Sequence, residues 1–131
     1  MNTDPISDML TRIRNAAERR FPAVDIPYSR LKERIADLMV KNGWLDKFEV
    51  MEGEPSQTIV LTFKYFRGHP AIKGLKRISK PGLRVHMNST KLNKSFPNKL
   101  EMIVISTSKG LLTRREAQKE GLGGEIMFKV W

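Results

Sequence analysis

The 131 residues contain no cysteine and only two histidines, His69 and His86. The first absence excludes disulfides, thiol nucleophiles and thiolate metal sites together. Two imidazoles are too few to found a metal centre, so no metal and no cofactor is expected. No apolar run approaches the roughly 20 residues that a membrane-spanning helix requires. Residues 1–5, Met1-Asn2-Thr3-Asp4-Pro5, lack the basic-then-apolar pattern of a signal peptide, and the early acid argues against a transit peptide. Acid is what the second half of the chain lacks. Residues 1–66 hold ten Lys/Arg and ten Asp/Glu, whereas residues 67–131 hold fourteen and four, a surplus that is the entire net charge of +10. A solubility surface spreads its charge along the chain. Charge segregated in this way favours a polyanion meeting one half, nucleic acid before anionic membrane or acidic protein.

What is present suffices for a fold. Hydrophobic residues make up 40% of the chain, well above a disordered composition. Asp4-Pro5 is a helix start, and Ile6, Met9, Leu10, Ile13 and Ala17 follow at helical spacing. Pro22 ends that helix, and a short strand over 23–26 stops at Pro27. Ser29 caps a second helix with Leu31, Ile35, Leu38 and Met39 on one face, closed by Asn42-Gly43. Strands follow over 44–51 and 57–66 around the turn Gly53-Glu54-Pro55-Ser56, and in the second Ile59, Leu61, Phe63 and Tyr65 alternate with their neighbours. The first half is thus α-β-α-β-β.

Arg67-Gly68-His69-Pro70 combines punctuating residues with the change in charge and marks a boundary, giving subdomains 1–66 and 67–131. The second reads as mainly β with one short helix, so the fold class is α+β. In it, strands over 72–79 and 83–87 form a hairpin about Lys80-Pro81-Gly82-Leu83, where Pro then Gly suits a type II turn. This hairpin carries Lys73, Lys76, Arg77, Lys80 and Arg84. Residues 88–98 are polar and show no regular pattern.

The densest signal is Ile103-Val104-Ile105-Ser106-Thr107-Ser108-Lys109-Gly110. A β-branched run delivers three consecutive hydroxyls and an ammonium to a turn. A helix then starts at Thr113, with Glu116 at capping-box spacing. Hydroxyls both donate and accept, which suits a partner surface of mixed polarity. One turn needs fewer than three of them, and the flanks are basic, so the predicted partner is RNA. A serine nucleophile at Ser106 or Ser108 is rejected: His86 is the only base, no acid is marked, and the nucleophile elbow is missing. The P-loop spacing is likewise missing before Thr113. Thr113 itself is accounted for by capping, and His69 by a surface or packing role. A protein-docking module with a basic face for acidic partners is the alternative from another class.

Several separated stretches together resemble one family, the eighth protein of the small ribosomal subunit, bacterial or organellar type. They are Gly74-Leu75-Lys76-Arg77-Ile78-Ser79-Lys80-Pro81-Gly82, residues 105–113, residues 121–125, Arg12-Ile13-Arg14-Asn15-Ala16 and Tyr28-Ser29. The resemblance implies a two-part α/β protein whose second part grips the central domain of small-subunit ribosomal RNA. It implies early, direct binding, help in assembling the platform, and the fifth and twelfth proteins of the subunit as neighbours. It implies RNA contact by Ser106, Thr107, Ser108 and Lys109, by Lys76, Arg77, Lys80, Arg84 and His86 of the basic hairpin, and by Gly123 and Gly124. A secondary contact through Arg14, Asn15 and Arg30 also follows, with no catalysis, no membrane and no homo-oligomer. The sequence departs from the family at His86, where a tyrosine is usual, at residues 88–101, which lack a glycine-rich lead, and at Phe128-Lys129. The departures suggest a divergent branch, in a bacterial cytoplasm or an organelle.

Overall fold

The computed structural model describes residues 4–53 and 55–131. The leader reading of residues 1–3 and Glu54 of the Gly53–Ser56 turn therefore lie outside the described residues. The chain divides into two compact units, one of Pro5–Lys73 and one of Gly74–Trp131 together with Asp4.

In the first unit α1 (Pro5–Glu18) begins on a proline, whose fixed φ and missing N–H cost nothing at a first helical position. It buries Ile6, Met9, Leu10, Ile13, Ala16 and Ala17. After β1 (Ala23–Pro27), α2 (Arg30–Lys41) is capped by the Ser29 hydroxyl, which accepts from the Lys32 amide. β2 (Leu45–Met51) and β3 (Thr58–Phe63) complete an antiparallel sheet in the order β1-β3-β2. Ile59, Leu61 and Phe63 share the buried face of its middle strand, as their alternation predicts.

The next residues form a minimal hairpin, β4 (Tyr65–Phe66) and β5 (His69–Pro70). Arg67 and Gly68 at its tip both have positive φ, 53° and 80°, the two-residue turn whose twist matches that of the strands. The Tyr65 hydroxyl donates to the Phe21 carbonyl, and the Ala71 amide to the Lys64 carbonyl. These bonds hold the hairpin in the first unit, so the division falls after Lys73 rather than after Phe66. Charge and punctuation mark where composition changes; hydrogen bonds decide where packing does.

The second unit contains β6 (Leu75–Arg77), β7 (His86–Met87), α3 (Ser89–Ser95), β8 (Met102–Thr107), β9 (Gly110–Thr113), α4 (Arg114–Glu120) and β10 (Gly124–Val130). Three expectations change here. Residues 88–98 are not irregular: Asn88 caps α3 by accepting from the Lys91 amide. The unit thus has two helices. A strand, β9, stands between the hydroxyl turn and α4, paired with β8 from Thr107↔Gly110 to Val104↔Thr113. The arms of the predicted 72–87 hairpin do not pair along their length. β6 and β7 instead lie end to end along one edge of β10, opposite Phe128–Val130 and Gly124–Glu125 respectively. Ile78 and Ser79 still donate to the Met127 and Ile126 carbonyls, and Val85 accepts from the Ile126 amide, so residues 80–84 bulge out between β6 and β7, closed by the Lys80↔Leu83 bridge. Gly82 does not have the left-handed φ that a type II turn requires.

β10 therefore runs through the middle of the sheet, between β6/β7 and β8, with β9 beyond β8. Ile103, Ile105 and Ile126 on one face pack with Leu92 of α3 and Ala117 of α4. Thr113 ends β9 and caps α4 in one residue. Its hydroxyl accepts from the Glu116 amide at 3.2 Å, and the Glu116 carboxylate accepts from the Thr113 amide at 3.0 Å. Gly121 closes the helix in the left-handed region, φ 67°. Thr113→Ala is expected to cost about 1 kcal/mol, visible in a calorimetric scan as a midpoint lowered by about 4 °C.

Candidate nucleic-acid interface

Register decides which predicted residues meet. Glu125 of β10 faces His86 of β7 on one side and Ser106 of β8 on the other. Residues directly opposite in neighbouring strands project on the same side of a sheet. His86, Glu125 and Ser106 thus form a row on the face away from α3 and α4, since Ile105↔Ile126 occupies the helix side. Ser108 and Lys109 lie just beyond, at the tip of the β8–β9 hairpin, and both are exposed.

The hydroxyls do not act alike. Thr107 donates to the Gly110 carbonyl at 2.8 Å and accepts from the Lys109 amide at 3.1 Å. Its hydroxyl closes the turn, as Ser and Thr commonly do, so its donor is spent within the protein. Among the described residues no hydrogen bond engages the hydroxyl of Ser106 or Ser108, and these two remain available to a partner.

The stretch 78–85 is tied to the same row. Buried Ser79 donates to Glu125 and accepts from the Val85 amide at 3.1 Å, while Arg84 donates to Glu125 at 3.0 Å. Burial raises the Glu125 pKa, but the bonds from Ser79 and Arg84 and the charges of Arg84 and His86 outweigh it, leaving the carboxyl below its usual value. A depressed carboxylate contributes stability above its unfolded pKa, about 4.3, and loses it as pH falls through the lower folded value. Glu125→Gln should therefore flatten the acid limb of a stability–pH curve measured by urea unfolding, while lowering stability at pH 7.

Lys109 pairs with Glu120 at 2.7 Å, an exposed pair that a phosphate can replace at small cost. The Glu120 carboxyl is held low by the Lys109 hydrogen bond and charge. Lys80 is exposed and pairs with no acid among the described residues. Lys76 is exposed too, but its register partner Lys129 faces Ile103, which sets it about 10 Å along the strands from Ser106. Arg77 is a correction. Its side chain is only 8% exposed, its Nε meets the Asp4 carboxylate at 3.3 Å, and its Nη1 donates to the Met127 carbonyl at 2.7 Å. Burial of the guanidinium leaves no phosphate-facing edge, and Arg77 is a structural residue.

Gly123 and Gly124 have backbone reasons for being glycine. A Cβ on Gly124 would sit 2.2 Å from the Ser106 carbonyl oxygen, and one on Gly123 would sit 2.2 Å from that of Met87. The pair permits β7, β10 and β8 to converge beneath the row. Arg14, Asn15 and Arg30 belong to the first unit, where Asn15 and Arg30 are exposed and Arg14 is half-buried. Sequence reasoning missed the cations of the α3–α4 side, Lys99, Arg114 and Arg115. Asn88 followed by Ser-Thr-Lys was the capping signal that would have exposed α3.

The geometry thus places an alcohol pair and several cations on one glycine-braced face of the sheet, and whole-chain comparison identifies the family. The model of the family described as "Ribosomal protein S8" matches residues 4–131. The chain belongs to the ribosomal protein S8 family. It is 47% identical to the small ribosomal subunit protein uS8 of Nocardioides sp., 43% to that of Dictyoglomus turgidum and 45% to that of Bifidobacterium longum, with 98% of both chains covered in each case. These relatives are bacterial. Membership makes this α+β chain a structural constituent of the ribosome, from a family for which RNA binding is general and catalysis is not.

Proposed function

We propose that the chain is a small-subunit ribosomal protein of bacterial type that binds the central domain of small-subunit ribosomal RNA directly. In this reading it helps build the platform, with the fifth and twelfth proteins of the subunit as neighbours. The observation that carries the reading is the row on β7, β10 and β8: two unengaged serine hydroxyls, exposed His86, and Lys80, Arg84 and Lys109 around them. A-form RNA offers 2′-hydroxyls and base edges in a wide, shallow minor groove, which short alcohol side chains can approach closely. The cations supply affinity by releasing counterions, and the alcohols select register. His86 can stack on or hydrogen-bond a base edge from the same row. Arg14, Asn15 and Arg30 provide a second, weaker contact from the first unit.

Ser106→Ala combined with Ser108→Ala is expected to weaken binding to a central-domain RNA fragment at least tenfold while leaving the salt dependence unchanged. Lys80→Ala should instead flatten the log–log salt slope by roughly 0.7 to 0.9. Filter binding at several potassium concentrations checks both. Equal affinity for duplex DNA of the same sequence would refute the reading. Docking to acidic proteins is the alternative, and competition of the RNA fragment by a polyacidic peptide would favour it.

A further inference from the structure

On the helix side of the second unit, α3 and α4 enclose a cleft of about 500 Å³, within the range of small-molecule sites. Its wall includes Asn93, Phe96, Pro97, Lys99, Arg114 and Arg115. Lys99, Arg114 and Arg115 form no ion pair among the described residues, so positive charge collects there without compensation. Phe96 and Pro97 add an apolar wall.

Two chemical demands converge: an anion for the cations and a planar face for Phe96. A carboxylate side chain meets only the first. A nucleotide meets both, through its phosphate and its base; RNA-binding proteins commonly hold splayed-out bases by such stacking. We propose that the α3–α4 cleft binds one unpaired nucleotide, with the base against Phe96 and its phosphate among Lys99, Arg114 and Arg115. The source is a free mononucleotide or an extrahelical residue of RNA. The site shares with the proposed function the premise of RNA binding, and none of its residues.

The test titrates the full-length, nitrogen-15-labelled protein with AMP, with a 5′-phosphorylated single-stranded tetraadenylate, and with inorganic pyrophosphate as a charge-only probe. AMP and the tetranucleotide should both shift the Asn93 side-chain amide and the Arg114 and Arg115 signals, the tetranucleotide more tightly if RNA is the source. Phe96→Ala, and Arg114→Ala with Arg115→Ala, should each weaken AMP at least tenfold. Ser106→Ala with Ser108→Ala should leave AMP binding unchanged, so failure at the cleft is distinguishable from failure at the serine row. Pyrophosphate binding as tightly as AMP, with no effect of Phe96→Ala, would reduce the cleft to a cation cluster and overturn the proposal. Displacement of the tetranucleotide by polyglutamate at equal charge would overturn it too, in favour of an acidic protein partner.

Discussion

Gly124→Val is expected to lower the unfolding free energy by about 3 kcal/mol or more, because overpacking against backbone cannot be relieved by a rotamer change. The added Cβ would lie 2.2 Å from the Ser106 carbonyl oxygen and 3.2 Å from Ile105 Cγ2. Relief requires β10 to move away from β8, which breaks the Glu125↔Ser106 and Ile126↔Ile105 pairings that set the row and the core behind it. Urea unfolding measures the loss, and Gly82→Ala is the control, since its Cβ meets nothing within 4 Å. A Gly124→Val protein as stable as its parent would mean that the strands are not so closely apposed. RNA affinity should fall with stability in the same variant, whereas Gly82→Ala should leave both nearly unchanged.

Arg77→Ala is expected to cost about 3 kcal/mol, the order seen when one member of a buried ion pair is removed. Asp4 is itself only 16% exposed at the side chain and would lose a charge partner, and Met127 would lose one of its donors. Met127 lies where the register of β10 against β8 shifts, between Ile126 and Phe128. The Arg77 guanidinium therefore pins an irregular point of the central strand, where a ladder bond is displaced. The functional arm of the experiment separates this role from phosphate contact. Below its lowered midpoint, the Arg77→Ala protein should bind RNA with the parent salt slope. A flatter slope with an unchanged midpoint would return Arg77 to the interface.

Much of this was legible in the sequence, and the failures have physical causes. Period-2 alternation at Ile59, Leu61 and Phe63 and helical spacing from Ile6 to Ala17 are consequences of burying one face, so they survive folding unchanged. Caps are equally local, and Ser29 and Thr113 stand where the sequence puts them. Pairing partners are not local. Pro81-Gly82 marks a reversal correctly, but nothing in those residues says that β6 and β7 will each choose β10 over one another. Gly110-Leu111-Leu112-Thr113 is too short and too plain to announce a strand before β8 is there to pair with it. Side-chain duty is the least legible. Ser106, Thr107 and Ser108 look alike in sequence, and only the geometry of the turn consumes the middle hydroxyl. Likewise, Arg77 is indistinguishable from Lys76 until one is inside and the other out.

In chain order β10 comes last among the strands it joins, yet three of them depend on it. While the polypeptide is being synthesised, β6 and β7 must wait without partners until residue 130 has cleared the exit tunnel. The first unit, 5–73, is one continuous stretch of chain. A nascent chain cut short anywhere before Gly124 would lack the strand that brings His86 and Ser106 into one row.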